Sequence, residues 1–307
     1  MSIMRFEKGR HLKKMTTLGI GGAAKFFAEV KKEGELPSIF SEAKRRKLEW
    51  YVLGSGSNIV AADPGFPGLI VRVNIKKFER SGIKLMVGAG NNLFEFIKKI
   101  NQLGFSGMER MAGIPGTIAG AIYGNAGAYG QEICDHLVRV RIFDQKKFRW
   151  LSKKACQLRY RDSLFKERKD WVIVGAEFKF LKDSPKKLEK ISRDIVRLRL
   201  KRYPREMSCP GSFFKNILWS NLPKSQKKRI PPDKVVYGKV PAGYLLEEVG
   251  AKGLSSGGIR IARHHANLFY NAGGGRAQDI KKLAELLKKK VYRKFGGRLE
   301  EEIQYLS

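Results

Sequence analysis

The chain has 307 residues, of which 42% are hydrophobic and 30% are charged. This length accommodates two or three domains and the apolar content supplies a buried core, which excludes a disordered or fibrous protein. The chain has 62 lysine and arginine residues and 29 acidic residues, which gives a formal charge of +33. Such a charge favours binding of nucleic acid, acidic membranes, nucleotides or phosphorylated sugars, and does not distinguish among them. The basic residues are spread over several predicted elements, and we interpret each basic run as a solvated face.

Cysteine spacing and the N-terminus indicate the cellular compartment. Cys134, Cys156 and Cys209 are more than 20 residues apart and form no CxxC pair, a pattern that indicates neither a disulfide framework nor a zinc cluster. The basic N-terminus, MSIMRFEKGRHLKK, is followed by TTLGIGGAAKFF and not by the leucine-rich core and cleavage site of an export signal. We therefore predict reduced thiols, no metal and a cytoplasmic protein.

The first 75 residues predict a small α+β unit. Short apolar runs (AAKFFAEV, WYVL and GLIVRV) alternate with turn residues, and ELPSIFSEAKRRK has the pattern of a helix. LMVGAG begins a second set, in which LFEFIKKINQLG is a predicted amphipathic helix and LVRVRIFD, FRWLS and WVIVGAEFKFL are predicted strands. A basic helix, KKLEKISRDIVRLRLKR, ends before Pro204, where we place a domain boundary.

The C-terminal third of the chain also mixes helices and strands. PAGYLLEEVG is a predicted helix, IRIARHHANLFYN is strand material and LEEEIQYL is a terminal strand. AQDIKKLAELLKKKVYRKF predicts a helix with Ile280, Leu283, Leu287 and Val291 on one face. The predicted fold class is therefore α+β.

Residues Gly113 to Gly130, GIPGTIAGAIYGNAGAYG, hold six glycines in eighteen positions. Glycine at that density lets the backbone approach a ligand closely, and backbone N–H groups can line a diphosphate or the edge of a flat ring. The rival interpretation is a membrane span, because Met111 to Gln131 is uncharged and contains overlapping GxxxG spacings. The few large aliphatic residues, together with Pro115 and Asn125, disfavour transfer into lipid, so we predict a cofactor loop and no membrane insertion.

A second glycine cluster, Gly54-Ser55-Gly56-Ser57-Asn58, follows the strand candidate WYVL and offers hydroxyls and an amide to phosphate oxygens. The next residues, IVAADPGF, predict strand and turn in place of the helix that a Rossmann fingerprint requires. The sequence has no GxxxxGK[ST] motif, which excludes a P-loop ATPase.

Two other motifs receive structural interpretations. The segment 253–257, GLSSG, matches the GxSxG pattern of hydrolases, but a predicted helix precedes it and a strand follows, the reverse of the order that a Ser255 nucleophile requires. His264 and His265 are adjacent, so on a strand they would point to opposite faces and would not easily share a metal.

Seven motifs in order resemble those of one family. They are TTLGIGG (16–22), LGSGSN (53–58), AGIPGTIAGAIYGNAGAYG (112–130), YRDS (160–163), GSFFKN (211–216), PAGYLLEEVGAKG (241–253) and LEEEI (299–303). From Thr16 to the C-terminus the chain resembles the UDP-N-acetylenolpyruvoylglucosamine reductases of bacterial peptidoglycan synthesis. The segment between Lys182 and Cys209 is short and basic, which resembles the branch of the family without a long tyrosine-bearing substrate loop.

The resemblance implies an α+β fold with a vanillyl-alcohol-oxidase-type FAD-binding region of two lobes, residues 1–75 and 76–203. A C-terminal substrate-binding domain would span residues 204–298, and residues 299–307 would complete the first lobe. NADPH would reduce the flavin, leave, and be replaced by UDP-N-acetylglucosamine enolpyruvate, whose reduction yields UDP-N-acetylmuramate. We expect no specific nucleic acid as a partner, and a monomer. The FAD contacts implied by the family motifs are Gly54, Ser55, Gly56, Ser57, Asn58, Ile114, Pro115, Gly116, Gly120, Asn125, Ala126 and Gly127.

The same resemblance implies three catalytic residues. Hydride reaches the vinyl carbon while the neighbouring carbon takes a proton, and negative charge develops on the substrate carboxylate and enolate. Arg161 of YRDS would stabilise that charge, and Ser212 of GSFFKN would donate the proton. Glu302 of LEEEI would act with the arginine or, if protonated, hydrogen-bond the enolate. Lys215 and Asn216 would help to hold the substrate.

Two positions depart from the family pattern, and two other functions stay open. Ile217 and Glu301 stand where the family usually has proline, which puts the rigidity of those loops in question.

One alternative function is that of another flavin oxidoreductase with the same FAD half, against which the motifs GSFFKN and LEEEI argue. The other is an RNA-binding protein, suggested by the charge, although no RRM, KH or zinc-knuckle motif occurs and the glycine run would be unexplained.

Overall fold

The structure is a computed structural model that describes residues 6–307. The chain divides into two units. Unit 1 comprises the residues up to Arg10, Ala24–Ser55 and Pro67–Leu200, and unit 2 comprises His11–Ala23, Gly56–Phe66 and Lys201–Ser307. Residues 1–5, which begin the predicted first lobe and the N-terminal segment MSIMRFEKGRHLKK, lie outside the described residues. The division into three domains at residues 75 and 203 stays a prediction.

Helices and strands alternate along the described chain. The helices are α1 (Leu36–Arg45), α2 (Leu93–Gln102), α3 (Ile118–Tyr123), α4 (Leu164–Glu167), α5 (Pro185–Arg202), α6 (Lys224–Lys227), α7 (Ala242–Glu247) and α8 (Ala277–Phe295). The first ten strands are β1 (Glu7–His11), β2 (Ala23–Val30), β3 (Trp50–Val52), β4 (Ile59–Ala61), β5 (Phe66–Val73), β6 (Phe78–Ser81), β7 (Lys84–Gly88), β8 (Phe105–Ser106), β9 (Gly127–Ala128) and β10 (Gln131–Glu132). The others are β11 (Leu137–Phe143), β12 (Phe148–Ser152), β13 (Val172–Lys179), β14 (Leu181–Lys182), β15 (Ile217–Leu218), β16 (Lys239–Val240), β17 (Ser255–Ser256), β18 (Ile259–Ile261), β19 (Phe269–Asn271) and β20 (Gln304–Leu306).

Unit 1 is built on two sheets. One has the strand order β1-β2-β5-β3, and the other is antiparallel with the order β12-β11-β13-β7-β6. Its central strand β13 is buried except at its last residue, which explains the apolar run VIVGA, and the buried Glu177 that follows forms ion pairs with Lys84 and Arg139. Helix α2 buries Leu93, Phe96, Ile97 and Ile100, and the Asn92 side chain caps it by accepting a hydrogen bond from an amide of the first turn.

Unit 2 has its own apolar core around α8. Ile280, Leu283, Leu287 and Val291 are all buried, which confirms the predicted apolar face. Strands β17, β18 and β19 form an antiparallel sheet, β15 pairs with β16, and β20 pairs in parallel with β4. The unit therefore combines short strands with one long amphipathic helix.

Most predicted elements occur, with three corrections. LEEEIQYL is a strand only at Gln304–Leu306. IRIARHHANLFYN is not one strand, because residues 262–268 form the turn between β18 and β19, closed by a hydrogen bond from the Ala262 amide to the Leu268 carbonyl. His264 and His265 therefore lie in a turn and not on a strand. The glycine run is not a continuous loop, because α3 occupies its centre.

Three further findings bear on the sequence interpretations. None of the three cysteines, all of which lie in the described part of the chain, forms a disulfide. Between residues 6 and 307, no helix has the length and apolar character to cross a membrane. Over the same residues, no group of three histidine, cysteine or acidic side chains is arranged to hold a metal ion.

Asp63 holds the start of α8 within unit 2. Its carboxylate accepts hydrogen bonds from the amides of Ala277 at 2.8 Å and Gln278 at 3.4 Å. The first amides of a helix have no intrahelical acceptor, and the N-terminus carries a partial positive charge, so a carboxylate stabilises it in two ways. The longest helix of the unit is thus anchored by a residue from a distant part of the chain.

We expect Asp63→Ala to lower the free energy of unfolding by about 1–2 kcal/mol, the scale of a lost helix cap with its charge–dipole interaction. Asp63→Asn keeps one acceptor oxygen and should lose less. Denaturant titration followed by circular dichroism measures both variants. Wild-type stability in Asp63→Ala would contradict the capping role.

His265 makes stability depend on pH. Burial, followed by repulsion from Arg202, His264 and Lys252, lowers the pKa of its imidazole from 6.5 to about 4. As the pH falls from about 6.5 to about 4, His265 binds a proton in the unfolded chain but stays neutral in the folded chain. The free energy of unfolding therefore decreases through that window. We expect His265→Gln to flatten this part of the profile in denaturant titrations. His264→Gln is the control: it removes only one of the three repelling groups and leaves His265 buried, so it should flatten the profile much less.

Candidate active site

The glycine run turns into a helix because Thr117 caps it. The Thr117 side chain accepts a hydrogen bond from the Gly120 amide at 3.2 Å. The amides of Ile118 and Ala119 donate to backbone carbonyls of residues 91 and 89 at 2.9 and 3.1 Å. These first-turn donors are satisfied inside unit 1, so a ligand would meet other parts of the run.

One face of α3 and its C-cap carries no side chains. Gly120 and Gly124 are four residues apart and share that face. A Cβ built on Gly120 would find only Thr117 Oγ1, at 3.4 Å, and a Cβ on Gly124 only the Gly120 carbonyl oxygen, at 3.7 Å. Within 4 Å, no other atom of the described chain packs against these two positions. The face therefore leaves room for a flat group that approaches the backbone closely.

The two glycine-rich segments meet at Thr117. A Cβ on Gly54 would lie 3.1 Å from Thr117 Oγ1, closer than most side chains allow, so this approach favours glycine. Segments far apart in sequence that were both predicted to contact FAD are thereby neighbours in unit 1. A Cβ on Gly56, in unit 2, would overlap the Met15 carbonyl oxygen, and its φ of +69° also favours glycine. The bare face of α3 and the adjoining Gly54 fit a flat, diphosphate-bearing cofactor such as FAD.

The other predicted cofactor residues flank these positions. Gly116 precedes α3 with a φ of +141°, and its carbonyl accepts a hydrogen bond from the Leu93 amide at 3.0 Å. The Ala126 amide donates to the carbonyl of Ala121 at 2.8 Å. Four more predicted contacts complete the set: Ile114 and Pro115 before α3 in unit 1, Ser55 at the end of a unit 1 segment, and Ser57 in unit 2.

Arg161 stands at the corner of a tight turn. Backbone hydrogen bonds of 3.0 Å run in both directions between Arg159 and Asp162, which leaves Tyr160 and Arg161 as the two central residues. Arg161 has a φ of +53°, a left-handed conformation that glycine usually supplies at such a corner. Residues held in this conformation concentrate at functional sites.

The Arg161 guanidinium lies on the end of the glycine run. Nη1 donates to the Asn125 carbonyl at 3.2 Å and Nη2 donates to the Gly127 carbonyl. The buried Asn125 has a φ of +41° and donates from its side chain to Glu132 at 2.7 Å and to the Arg159 carbonyl at 3.0 Å. The predicted charge stabiliser is thereby joined to two predicted FAD contacts.

Ser212 and Glu302 lie on neighbouring extended segments of unit 2. Residues 213–215 pair with residues 300–302 through amide-to-carbonyl hydrogen bonds of 2.8 and 2.9 Å and an antiparallel bridge. On its other edge, the segment pairs with residues 267–268, where the Phe213 amide donates at 3.0 Å. Backbone pairing therefore places Glu302 opposite Phe213, the residue that follows Ser212.

Asn58 anchors the backbone at Glu302. The Asn58 side chain donates to the Glu302 carbonyl at 2.9 Å, and the Asn58 carbonyl accepts from the Gln304 amide at the same distance.

Glu301, which replaces the family's proline, forms an ion pair with Lys288 of α8. Burial, together with the Glu301 carboxylate that it hydrogen-bonds, raises the pKa of Tyr305. Side-chain contacts thus restrain the segment where a proline ring is missing.

Lys215 and Asn216 already have partners in unit 2. The Lys215 ammonium pairs with Glu300 at 3.0 Å, and 73% of the Glu300 side chain is exposed. Such an exposed ion pair contributes little stability, so a ligand phosphate can replace it. Asn216 Oδ1 accepts a hydrogen bond from the Ala242 amide at 3.0 Å, at the start of α7.

Tyr203 is a site residue that the sequence motifs did not mark. Its hydroxyl oxygen lies 2.7 Å from Ser212 Oγ. Because it follows α5 inside a basic run, no spacing in one sequence singles it out.

Comparisons with known proteins agree along almost the whole chain. The family model described as the C-terminal domain of UDP-N-acetylenolpyruvoylglucosamine reductase matches residues 203–306, and an FAD binding domain matches residues 24–146. The UDP-N-acetylenolpyruvoylglucosamine reductase of Solibacter usitatus (strain Ellin6076) is 41% identical and covers 95% of this chain and 93% of its own. That of Bacillus pumilus (strain SAFR-032) is 30% identical and covers 95% and 90%.

A solved structure gives the same result for the fold. The crystal structure of UDP-N-acetylenolpyruvylglucosamine reductase from Thermus caldophilus aligns with a TM-score of 0.78 and 28% identity, over 99% of this chain and 100% of that one. Together with the two family models, it confirms the predicted α+β fold, with a vanillyl-alcohol-oxidase-type FAD-binding region and a C-terminal α+β domain. The chain belongs to the UDP-N-acetylenolpyruvoylglucosamine reductase family.

Proposed function

We propose that this protein catalyses the FAD-dependent, NADPH-consuming reduction of UDP-N-acetylglucosamine enolpyruvate to UDP-N-acetylmuramate, a step of peptidoglycan precursor synthesis. The observation that carries the proposal is similarity to reductases of this name along the chain, at 41% identity over 95% of its length. The match to residues 203–306 argues against an unrelated flavin oxidoreductase that shares only the FAD half. The glycine-rich structure of unit 1 argues against a protein that only binds RNA.

When bound, FAD supplies a two-electron carrier between NADPH and the vinyl carbon of the substrate. The residues that we propose to hold it in unit 1 are Gly54 and Ser55, Ile114 to Gly116, Gly120, and Asn125 to Gly127. In unit 2 the proposed contacts are Gly56, Ser57 and Asn58. The side-chain-free face at Gly120 and Gly124 supports this assignment, because a ring can approach the backbone there.

Three side chains act on the charge and the proton of the reaction. Arg161 stabilises negative charge on the substrate, and the carbonyls of Asn125 and Gly127 orient its guanidinium before any ligand arrives. Ser212 donates the proton to carbon. Glu302 acts on the enolate, and backbone pairing holds its segment against residues 213–215. Lys215 and Asn216 hold the substrate, Lys215 by exchanging Glu300 for a phosphate.

We propose a cytoplasmic location and NADPH as the cosubstrate. Three cysteines without a disulfide among the described residues fit a reducing compartment, which is also where NADPH is available. The proposed substrate, cofactor and cosubstrate are all anions, so part of the +33 charge attracts them to the protein. No further partner enters the proposed reaction.

The reaction is tested by comparing its two halves in wild type and Ser212→Ala. We expect yellow protein that oxidises NADPH when the enolpyruvyl sugar is present. Ser212→Ala should keep flavin reduction by NADPH but slow reoxidation by the sugar by about a hundredfold or more, because the proton donor is lost. Stopped-flow flavin absorbance measures both steps. Colourless protein that FAD does not reconstitute would refute the reductase, and equal loss in both halves would refute the role of Ser212.

The bare face of α3 is tested by filling it. Gly120→Leu places a side chain where the flavin is proposed to lie, so we expect the ratio of flavin to protein to fall sharply. The melting temperature of the flavin-free protein should stay near that of flavin-free wild type, because glycine inside a helix is itself about 0.5–1 kcal/mol unfavourable. Gly120→Ala, as the smaller step, should lose less flavin. A full complement of flavin in the leucine variant would place the cofactor elsewhere.

A further inference from the structure

Tyr203 and Ser212 form a pair of hydroxyl groups in unit 2. The two oxygens are 2.7 Å apart, the usual length for a hydrogen bond between hydroxyls, and both side chains are partly buried. Tyr203 directly follows Arg202, the last residue of α5, and Ser212 begins the segment paired with residues 267–268 and 300–302. The serine hydroxyl thus has the Tyr203 hydroxyl as a hydrogen-bond partner, and its backbone is fixed by pairing.

The tyrosine ring is supported from the side. The ring of His265 meets it edge-on, with centroids 5.7 Å apart and an interplanar angle of 70°. The His265 carbonyl accepts a hydrogen bond from the Leu268 amide, and Leu268 is the residue whose backbone pairs with Ser212. One turn therefore positions both the serine backbone and the ring whose hydroxyl reaches the serine.

The acidities of the two hydroxyls set the direction of their hydrogen bond. A phenol, with a pKa of about 10, is a far stronger acid than an aliphatic alcohol and is the better donor. With Tyr203 as the donor, the serine proton is left to point at the substrate. When that proton leaves, the serine oxygen gains negative charge, and the bond from the phenol becomes charge-assisted and stronger. The interaction is then greater in the transition state than in the ground state, which is the condition for faster catalysis.

We propose that Tyr203 is a positioning residue for proton transfer: it donates a hydrogen bond to Ser212 Oγ, aims the serine proton at the substrate and stabilises the oxygen that the proton leaves. The Oγ–H bond breaks as the C–H bond forms, hydride from the reduced flavin supplies the other hydrogen, and water afterwards returns a proton to Oγ. Tyr203 stays protonated throughout. The inference rests on the proposed function, and specifically on Ser212 as the proton donor.

The test is Tyr203→Phe in the FAD-loaded enzyme, which removes the hydroxyl and keeps the ring against His265. We expect flavin reduction by NADPH to stay within about twofold of wild type. Reoxidation by UDP-N-acetylglucosamine enolpyruvate should slow by about 10- to 100-fold, the scale of one hydrogen bond to a charged group. The KM for the sugar should be unchanged, and the solvent deuterium isotope effect on reoxidation should rise. Tyr237→Phe removes an exposed phenol of the same unit and should behave as wild type.

A double variant separates a role through Ser212 from a general structural role. We expect Ser212→Ala/Tyr203→Phe to be no slower than Ser212→Ala alone, because the tyrosine acts only on the missing hydroxyl. Reoxidation at the wild-type rate in Tyr203→Phe, equal slowing of both half-reactions, or additive effects in the double variant would each overturn the proposal. Wild type that the sugar does not reoxidise would overturn the reductase itself. An active wild type, an impaired Ser212→Ala and an unaffected Tyr203→Phe would overturn only the role of Tyr203.

Discussion

The arrangement of the proposed proton donor depends on one backbone pairing, between residues 213–215 and residues 300–302 of unit 2. Ser212 and Glu302 are separated by ninety residues in sequence, and neither has a side chain rigid enough to set its own position. Hydrogen bonds between the two extended segments fix their backbones, and the pairing with residues 267–268 prevents the first segment from sliding. The reaction requires side-chain positions that are accurate to a fraction of an ångström. Hydrogen-bonded main-chain atoms set these positions, because they move less than free side chains.

In unit 1 a side chain, and not a backbone pairing, positions the proposed site residues. Arg161 occupies a left-handed corner and places its guanidinium on the carbonyls of two residues from the glycine run. A run rich in glycine is flexible before folding, so ordering it costs conformational entropy. Hydrogen bonds from one cation to two successive parts of the run offset some of that cost. The same residue thus orders the proposed cofactor segment and presents positive charge.

The fold was predictable where periodicity is strong. The apolar stripe of α8 and the apolar run AAKFFAEV of β2 identified those elements with the bounds that the structure has. Sequence patterns failed where tertiary contacts determine the local structure. Residues 262–268 lie between two apolar runs and were predicted as strand material, but they form a turn. The helix inside the glycine run depends on the Thr117 cap and on carbonyls from another segment.

The proposed site residues were identified from motifs, and their roles stay predictions. Arg161, Ser212 and Glu302 each came from a short motif. The residues that surround them in the structure could not be derived from those motifs. Tyr203 illustrates the limit, because its hydroxyl matters only through its 2.7 Å distance to Ser212, which depends on how α5 ends and on the turn at His265. The departure at Glu301 was visible in the sequence, but its ion pair with Lys288 was not.

Glu301 has a consequence for how the enzyme responds to its surroundings. In the family pattern a proline ring stiffens the chain before this glutamate through its covalent geometry, which salt does not affect. Here an ion pair to Lys288 does that work, and the side chains of Lys288 and Glu301 are 31% and 14% exposed. Dissolved ions weaken such an attraction according to how much water reaches it. The order of the segment that carries Glu302 is therefore coupled to ionic strength. Lys288 restrains this segment through an ion pair that salt can weaken, where the family pattern has a covalent restraint.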